Sequence, residues 1–251
     1  MRVYPSPSFR AQSGSVSRAR NPLMAEVADV YTSAPMRALL ARETAALAPI
    51  LSGAYGNYGL ILRPCQVSAD LPPHLLGTIA EMHVDAHGML AGSVQCAPWQ
   101  LPFASESFKL LIAQHALERI VDGSDCIAEL ARVLAPEGIA LVLGFNPYGT
   151  WRPWLLRRAS GLRLGSAQTC SAQFARERID TLQVRFPGLM WPRAQANVVE
   201  TPVSRLARFG SSWLLIARKR RSALTPIRPR ASARDPARTP QLAPGARRNV
   251  A

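Results

Sequence analysis

The spacing of apolar residues changes twice between positions 108 and 145. Phe108 to Ala113 is a short, nearly continuous apolar run, which is typical of a strand covered on both faces. From Asp125 to Leu134 the apolar residues recur every three or four positions, so this segment is predicted to be a helix with one buried face. Ile139 to Phe145 is again apolar almost throughout. The order strand, helix, strand predicts a βαβ unit with two parallel strands.

The N-terminal half carries weaker versions of the same patterns. Pro35 to Leu51 has apolar residues at helical spacing and begins with proline, which suits the first turn of a helix. We expect this helix to lie against the edge of the sheet. After a turn-rich link from Ser52 to Gly59, Leu60 to Leu62 is predicted to be the first strand. Met82 to Val84 is predicted to be the second.

Beyond position 148 the pattern predicts a cap and then the closing strands. Trp151 to Arg158 combines large apolar and basic residues, as in an amphipathic helix or lid. Gln173 to Val184 is predicted to be a further helix. Val198 to Pro202 and Ser211 to Ala217 are predicted to pair as antiparallel strands. Together these elements predict an α/β fold: a mostly parallel sheet with a closing antiparallel strand pair and helices on both faces.

Composition limits how much of the chain can fold into this domain. With 251 residues, 48% of them hydrophobic, the chain can form one sizeable core and hardly two. We expect a disordered N-terminal extension over residues 1–30, one folded domain over 31–218 and a basic disordered tail over 219–251. The sequence has no apolar run of the ~18 residues that a membrane helix needs. Four widely spaced cysteines without a C-x-x-C pair fit a reducing cytoplasm.

The net charge of +14 is unevenly distributed. Arginine and proline concentrate after Arg218, where the basic residues face a single acid, Asp235. Such a tail could bind nucleic acid or an anionic surface without sequence preference, through counterion release. The alternative is a solubilising extension that has no specific partner.

Three motifs occur in a fixed order, the first just before the βαβ unit and the other two within it. They are Leu101-Pro102-Phe103, then Gln114-His115-x-Leu117-Glu118, then Glu129-x-x-Arg132-Val133-Leu134-x-Pro136-x-Gly138. Their order and spacing resemble the second half of class I S-adenosylmethionine-dependent methyltransferases of the type 11 group. The segments Gly144 to Tyr148 and Trp213 to Arg220 are similar to a bacterial branch of that group with a degenerate glycine-rich loop. The resemblance implies a Rossmann-like methyltransferase fold and S-adenosylmethionine as cofactor.

The resemblance also implies a cofactor site at the strand ends, yet this half of the sequence departs from the family pattern. Where a glycine-rich loop is expected after the first strand, the chain has Arg63-Pro64-Cys65-Gln66. Gly56 and Gly59, which precede that strand, are either a displaced loop or plain turn residues. Asp85 is the candidate for the ribose hydroxyls and could instead belong to a hairpin turn. Leu101, Pro102 and Phe103 would form the floor near adenine.

Polar residues at the predicted strand ends are the candidates for contacts with the cofactor and the acceptor. Gln114 and His115 follow one strand and Asn146 follows the next, at the edge where parallel sheets bind ligands. His115 could act as a general base or could be a structural histidine bonded to the backbone. A metal site is not expected, because His83 and His87 flank a predicted turn and lack a third ligand.

Two functions of different classes remain open. In the first, the protein transfers a methyl group from S-adenosylmethionine to a small molecule or macromolecule that the sequence does not identify. In the second, the fold persists, the cofactor site has decayed and the domain acts as a binding module. The second is motivated by the glycine-free Arg63-Pro64 segment and by Ala97, which stands where the family has an acid beside adenine.

Overall fold

The computed structural model describes residues 30–66, 71–121, 123–159, 161–192 and 208–221. The two predicted disordered segments lie outside these ranges, apart from residue 30 and residues 219–221. The predicted strand Val198 to Pro202 lies outside them as well. Within the described ranges, no helix is both long enough and apolar enough to cross a membrane.

The described residues form four helices and seven strands. In order they are α1 (Ala34–Leu51), β1 (Tyr55–Arg63), β2 (Leu75–Val84), β3 (Leu90–Gly92), β4 (Phe108–Gln114), α2 (Gly123–Val133), β5 (Leu134–Phe145), α3 (Arg152–Arg158), α4 (Ala167–Arg176), β6 (Ile179–Arg185) and β7 (Ser212–Lys219).

The strands form one sheet in the order β3-β2-β1-β4-β5-β7-β6. The four strands β2, β1, β4 and β5 run parallel to their neighbours in this order. β7 runs antiparallel to both β5 and β6, and β3 runs antiparallel to β2. The predicted mostly parallel sheet with a closing antiparallel pair is confirmed.

Helices cover both faces of the sheet, which explains why its central strands are apolar throughout. On one face, Leu60 and Leu62 of β1 belong to a core shared with α2 and α4. On the other face, Ile61 packs in a second core with Leu47 and Leu51 of α1. Successive side chains of a strand point to opposite faces, so burial on both sides removes the alternation of apolar and polar residues.

The predicted helix over Gln173 to Val184 is wrong. Helix α4 ends at Arg176 and the chain then forms β6, which is the antiparallel partner of β7. The pairing register shifts between Thr181 and Gln183, and the side chain of Leu182 is 54% exposed. A bulge in an edge strand interrupts the two-residue alternation, so the apolar spacing imitated a helix.

β1 and β2 lie side by side as parallel strands, with Tyr55 opposite Leu75 and Arg63 opposite His83.

The packing of Gly144 against Trp213 gives a first prediction about stability. The two residues are partners in β5 and β7, and a Cβ on Gly144 would lie 2.4 Å from the Trp213 ring. The indole N–H of Trp213 donates to the carbonyls of Phe145 and Gly165, each at 3.0 Å. We expect Gly144→Ala to displace the ring and lower the free energy of unfolding by about 1–3 kcal/mol, measured by urea denaturation.

Gly165→Ala is the matched control, because a Cβ there meets nothing within 4 Å. If both alanine variants unfolded at the same urea concentration, the contact between Gly144 and Trp213 would not contribute to stability.

Candidate active site

The carboxyl ends of the parallel strands bring four of the predicted site residues to one edge of the sheet. Asp85 follows β2, Gln114 ends β4, His115 comes next, and Asn146 follows β5. Hydrogen bonding of the His115 N–H to the Leu143 carbonyl, at 2.9 Å, keeps the ends of β4 and β5 side by side. This edge is where a Rossmann-like sheet binds its ligands.

Gly56 and Gly59 do not lie at this edge. Both belong to the first half of β1, and Gly56 is seven residues before Arg63, roughly 23 Å away along the strand. A Cβ on Gly56 would lie 2.7 Å from the Cβ of Lys109 on the neighbouring strand, so this glycine permits close strand packing. The expectation that these glycines contact the cofactor is therefore corrected.

His115 is the centre of a buried network of charged groups. Its Nδ1 lies 2.9 Å from Glu118, and its Nε2 lies 3.0 Å from both carboxylate oxygens of Glu43. The Gln114 side chain donates to Glu43 at 3.2 Å, and Glu118 also accepts the backbone N–H of Phe145. The side chains of His115 and Glu43 are fully buried. The network connects α1 to the ends of β4 and β5.

The charge state of His115 does not suit a general base. Burial alone lowers its pKa, but the charges of Glu43 and Glu118 and their hydrogen bonds outweigh burial and raise the pKa to about 10. At neutral pH the ring is therefore an imidazolium whose two N–H groups are both donated to carboxylates. The predicted proton-accepting role is corrected to a structural one. The residue also has a left-handed backbone, with φ of 49°.

A roof of apolar residues covers this network. It consists of the first described residues, the first half of α1 and helix α3, and it includes Tyr31, Met36, Leu39, Trp151 and Leu155 around Phe145. The segment predicted as a helix or lid, Trp151 to Arg158, thus lies in the roof. The roof keeps water from the buried network of Glu43, His115 and Glu118.

The hydroxyl of Tyr31 is a polar atom of this roof that sequence reasoning missed. It is buried and has no hydrogen-bond partner among the described residues. Burial raises the pKa of Tyr31, and the charge of Glu118 raises it further. Its ring centroid lies 6.3 Å from that of His115. Tyr31 was missed because it directly follows a segment with neither apolar periodicity nor a motif.

Arg119 occupies the corner where β1 and β2 end. Its Nη1 donates to the carbonyls of Pro64 and, at 2.8 Å, of Val84, and its Nη2 donates to the Asp85 carbonyl at 3.2 Å. The side chain is almost fully buried. A guanidinium therefore holds together the two strand ends at which the family pattern has a glycine-rich loop. No local motif marks Arg119, because its partners are distant in sequence.

Asp85 both ends β2 and caps a hairpin turn, so the two alternatives for this residue are compatible. One carboxylate oxygen accepts the backbone N–H groups of His87 at 2.7 Å and Met89 at 2.9 Å. The other accepts the side chain of Gln95 at 3.0 Å. Since a carboxylate oxygen can accept two hydrogen bonds, this second oxygen can accept one more.

The segment Leu101 to Phe103 is held by α2. Glu129 accepts the N–H of Leu101 at 3.0 Å, while Arg132 donates to the carbonyls of Leu101 at 3.1 Å and Phe103 at 2.9 Å. The two side chains also pair, at 2.8 Å, and the hydrogen bonds from Arg132 lower the pKa of Glu129. The Glu129-x-x-Arg132 motif thus fixes this loop against the C-terminal half of α2, where the Phe103 ring lies 5.0 Å from that of Phe108, the first residue of β4. Pro102 is exposed there.

Asn146 has no free amide hydrogen for a substrate. Its amide N–H groups donate to the carbonyls of Arg208 at 2.6 Å and Gly210 at 3.1 Å, and its oxygen accepts the N–H of Tyr148 at 3.1 Å. The residue connects the turn after β5 to the segment before β7. The predicted catalytic role is therefore corrected to a structural one.

Comparison with known proteins agrees with this architecture. Residues 65–142 match the model of a family described as methyltransferase domain. The match begins just after β1 and ends within β5. It therefore includes Asp85, the Leu101 to Phe103 segment and His115, and it excludes β1 and Asn146.

A sequence relative and two solved structures resemble this chain at low identity, and the solved structures share its fold. Protein YafS of Escherichia coli K12, which is uncharacterized, is 27% identical over 188 residues, covering 71% of this chain and 75% of that protein. A chain assigned as a methyltransferase, solved in complex with the Haloferax volcanii Trm112 methyltransferase activator, superposes with a TM-score of 0.56 at 13% identity, covering 81% of this chain and 100% of its own. A Listeria monocytogenes chain assigned as an S-adenosylmethionine dependent methyltransferase superposes with a TM-score of 0.50 at 12% identity. The match covers 73% of this chain and 99% of that chain.

Proposed function

We propose that the chain is a class I methyltransferase of the type 11 group that uses S-adenosylmethionine as methyl donor, bound along the carboxyl edge of β1, β2 and β4. The observation that carries the proposal is the position of Asp85 at this edge, directly after β2, where one carboxylate oxygen is able to accept a ribose hydroxyl.

The residues at this edge fit the nucleoside part of S-adenosylmethionine better than they fit its methionine part. The Arg63-Pro64 corner presents no glycine-rich loop, and the carbonyls there already accept hydrogen bonds from Arg119. We therefore assign the ribose contact to Asp85 and none to the corner, and the adenine contacts of Leu101, Pro102 and Phe103 stay a prediction from the family resemblance.

The chain contributes positioning and exclusion of water to methyl transfer. When bound, S-adenosylmethionine supplies a methyl group on a sulfonium, which a nucleophilic acceptor attacks. The roof keeps water from the network of Glu43, His115 and Glu118, with Tyr31 and Trp151 fully buried. The network of Glu43, His115 and Glu118 fastens this roof to the sheet. An acceptor that must lose a proton would need a base other than His115.

Calorimetric titration with S-adenosylmethionine tests the proposal. We expect binding by the wild-type protein and an affinity at least about tenfold lower for Asp85→Asn, because the amide replaces a charged acceptor by a donor. Asp125→Asn is the matched control, since Asp125 is an exposed carboxylate in the first turn of α2 and not at the end of β2. Equal affinities for the wild-type protein and Asp85→Asn would contradict the assignment of the ribose contact.

The Arg63-Pro64 corner favours the alternative function, a binding module with a decayed cofactor site. In that case the same titration would give no heat at millimolar S-adenosylmethionine, even though the protein is folded. That result would reject the methyltransferase activity and leave the fold unchanged.

A further inference from the structure

A large cavity lies at the far side of the same sheet edge, away from the proposed cofactor site. It has a volume of about 760 Å³ and is bounded by the turn after β5, helix α4, the end of β6 and the start of β7. These elements meet there because Phe145 lies opposite Ser212 and Arg185 lies opposite Leu214 in the antiparallel part of the sheet. The size falls within the roughly 300–1,000 Å³ of small-molecule sites.

The walls of the cavity are largely apolar and include several large side chains that are exposed to solvent. Tyr148 is 77% exposed and Phe209 is 45% exposed, and Val184 and Phe186 are also exposed. Trp213 closes the inner end. Exposed apolar side chains scattered over a surface need no explanation, but a group of them around one concave site is typical of a ligand-binding site.

The charge around the cavity has a single sign. Arg208 is the charged residue among its described lining residues, and none of those residues is acidic. Within the described part of the chain, the Arg208 guanidinium forms no ion pair. An exposed cation beside an apolar cavity complements a ligand that has an apolar body and an anionic end.

The position of Arg208 indicates which way such a ligand points. Arg208 and Phe209 line the exposed side of the cavity, and Trp213, which is almost fully buried, also lines it. The anionic end therefore belongs beside Arg208, and the apolar body belongs against Trp213.

We infer that the cavity beside Arg208 and Trp213 binds an apolar small molecule with a carboxylate or a comparable anionic group. The inference does not depend on methyl transfer, because it concerns a cavity lined by neither Asp85 nor the Leu101 to Phe103 segment. Binding here and binding of S-adenosylmethionine can therefore succeed or fail separately.

Calorimetric titration of the full chain with decanoate and 2-naphthoate tests the inference. We expect at least one of these acids to bind, and Arg208→Gln to weaken binding about fivefold, which corresponds to the loss of one exposed ion pair. Arg176→Gln removes an exposed arginine at the end of α4 that does not line the cavity, so it should bind the acids as the wild-type protein does.

Two further arms separate the contribution of charge from that of shape. Decyltrimethylammonium, below its micelle concentration, should bind the wild-type protein at least about fivefold more weakly than decanoate. Ala172→Trp, which places a bulky ring in the cavity wall, should abolish binding of the acids without lowering the melting temperature. The inference is overturned if neither acid binds, if the cation binds as well as decanoate, or if Ala172→Trp leaves binding unchanged.

Discussion

Replacing His115 with glutamine is expected to lower the free energy of unfolding by about 3–5 kcal/mol. The imidazolium lies between Glu43 and Glu118, and both carboxylates are buried. Glutamine removes the cation, so two negative charges would stay in the protein interior without a counter-ion. Urea denaturation at pH 7, followed by far-ultraviolet circular dichroism, measures the effect.

A double-mutant cycle distinguishes the loss of a charge pair from a general packing defect. Glu43→Gln removes one of the uncompensated charges. The loss in free energy of unfolding of the double variant should therefore be smaller than the sum of the two single losses by about 1 kcal/mol or more. His87→Gln is the control, since His87 is exposed in the turn after β2. Additive single effects would show that the three side chains do not act as one charged network.

The same network predicts how stability depends on pH. The folded pKa of His115 is raised from 6.5 to about 10, so its contribution is fully present below pH 6.5 and is lost as the pH rises towards 10. Burial also raises the pKa of Cys126, which likewise costs stability at alkaline pH. The readout is therefore the difference between the wild-type protein and His115→Gln, which should shrink between pH 6.5 and 10. A constant difference would mean that His115 is neutral in the folded protein.

Replacing Arg119 with methionine is the second substitution with a large expected effect, about 2–4 kcal/mol in the free energy of unfolding. Its guanidinium satisfies carbonyls of Pro64, Val84 and Asp85, which belong to two neighbouring strand ends. Methionine keeps most of the apolar volume but leaves these buried acceptors without donors. Urea denaturation measures the loss.

Two further variants, Arg119→Lys and Arg163→Met, provide the comparisons. Arg119→Lys should recover only part of the stability, because one ammonium group does not reproduce the planar fork of donors that reaches both strand ends. Arg163→Met is the matched control: Arg163 is exposed and donates from its side chain to the Val121 carbonyl. Equal stability of Arg119→Met and Arg163→Met would show that the corner is held by other contacts.

Much of the architecture could be predicted because the buried strands and the helix between them are contiguous in sequence. The βαβ unit from Phe108 to Phe145 shows its burial on both faces as continuous apolar runs. The motif Glu129-x-x-Arg132 was recognised for its spacing, and the structure shows its use in anchoring Leu101 and Phe103. Elements at the edges of the sheet were harder to predict, as β6 shows, since a bulge and solvent exposure blur the two-residue period.

The sequence by itself determined the class of fold, the order of its central elements and the edge at which polar residues gather, since these depend on local periodicity and on the parallel arrangement of strands. Only the tertiary structure decided what those polar residues do. Glu43 and His115 are 72 positions apart in the sequence, and that separation alone predicts no contact. Their contact depends on how α1 packs over the sheet. Protonation and hydrogen bonding follow from such contacts, so the roles of His115, Asn146 and Arg119 could be assigned only from their neighbours in space.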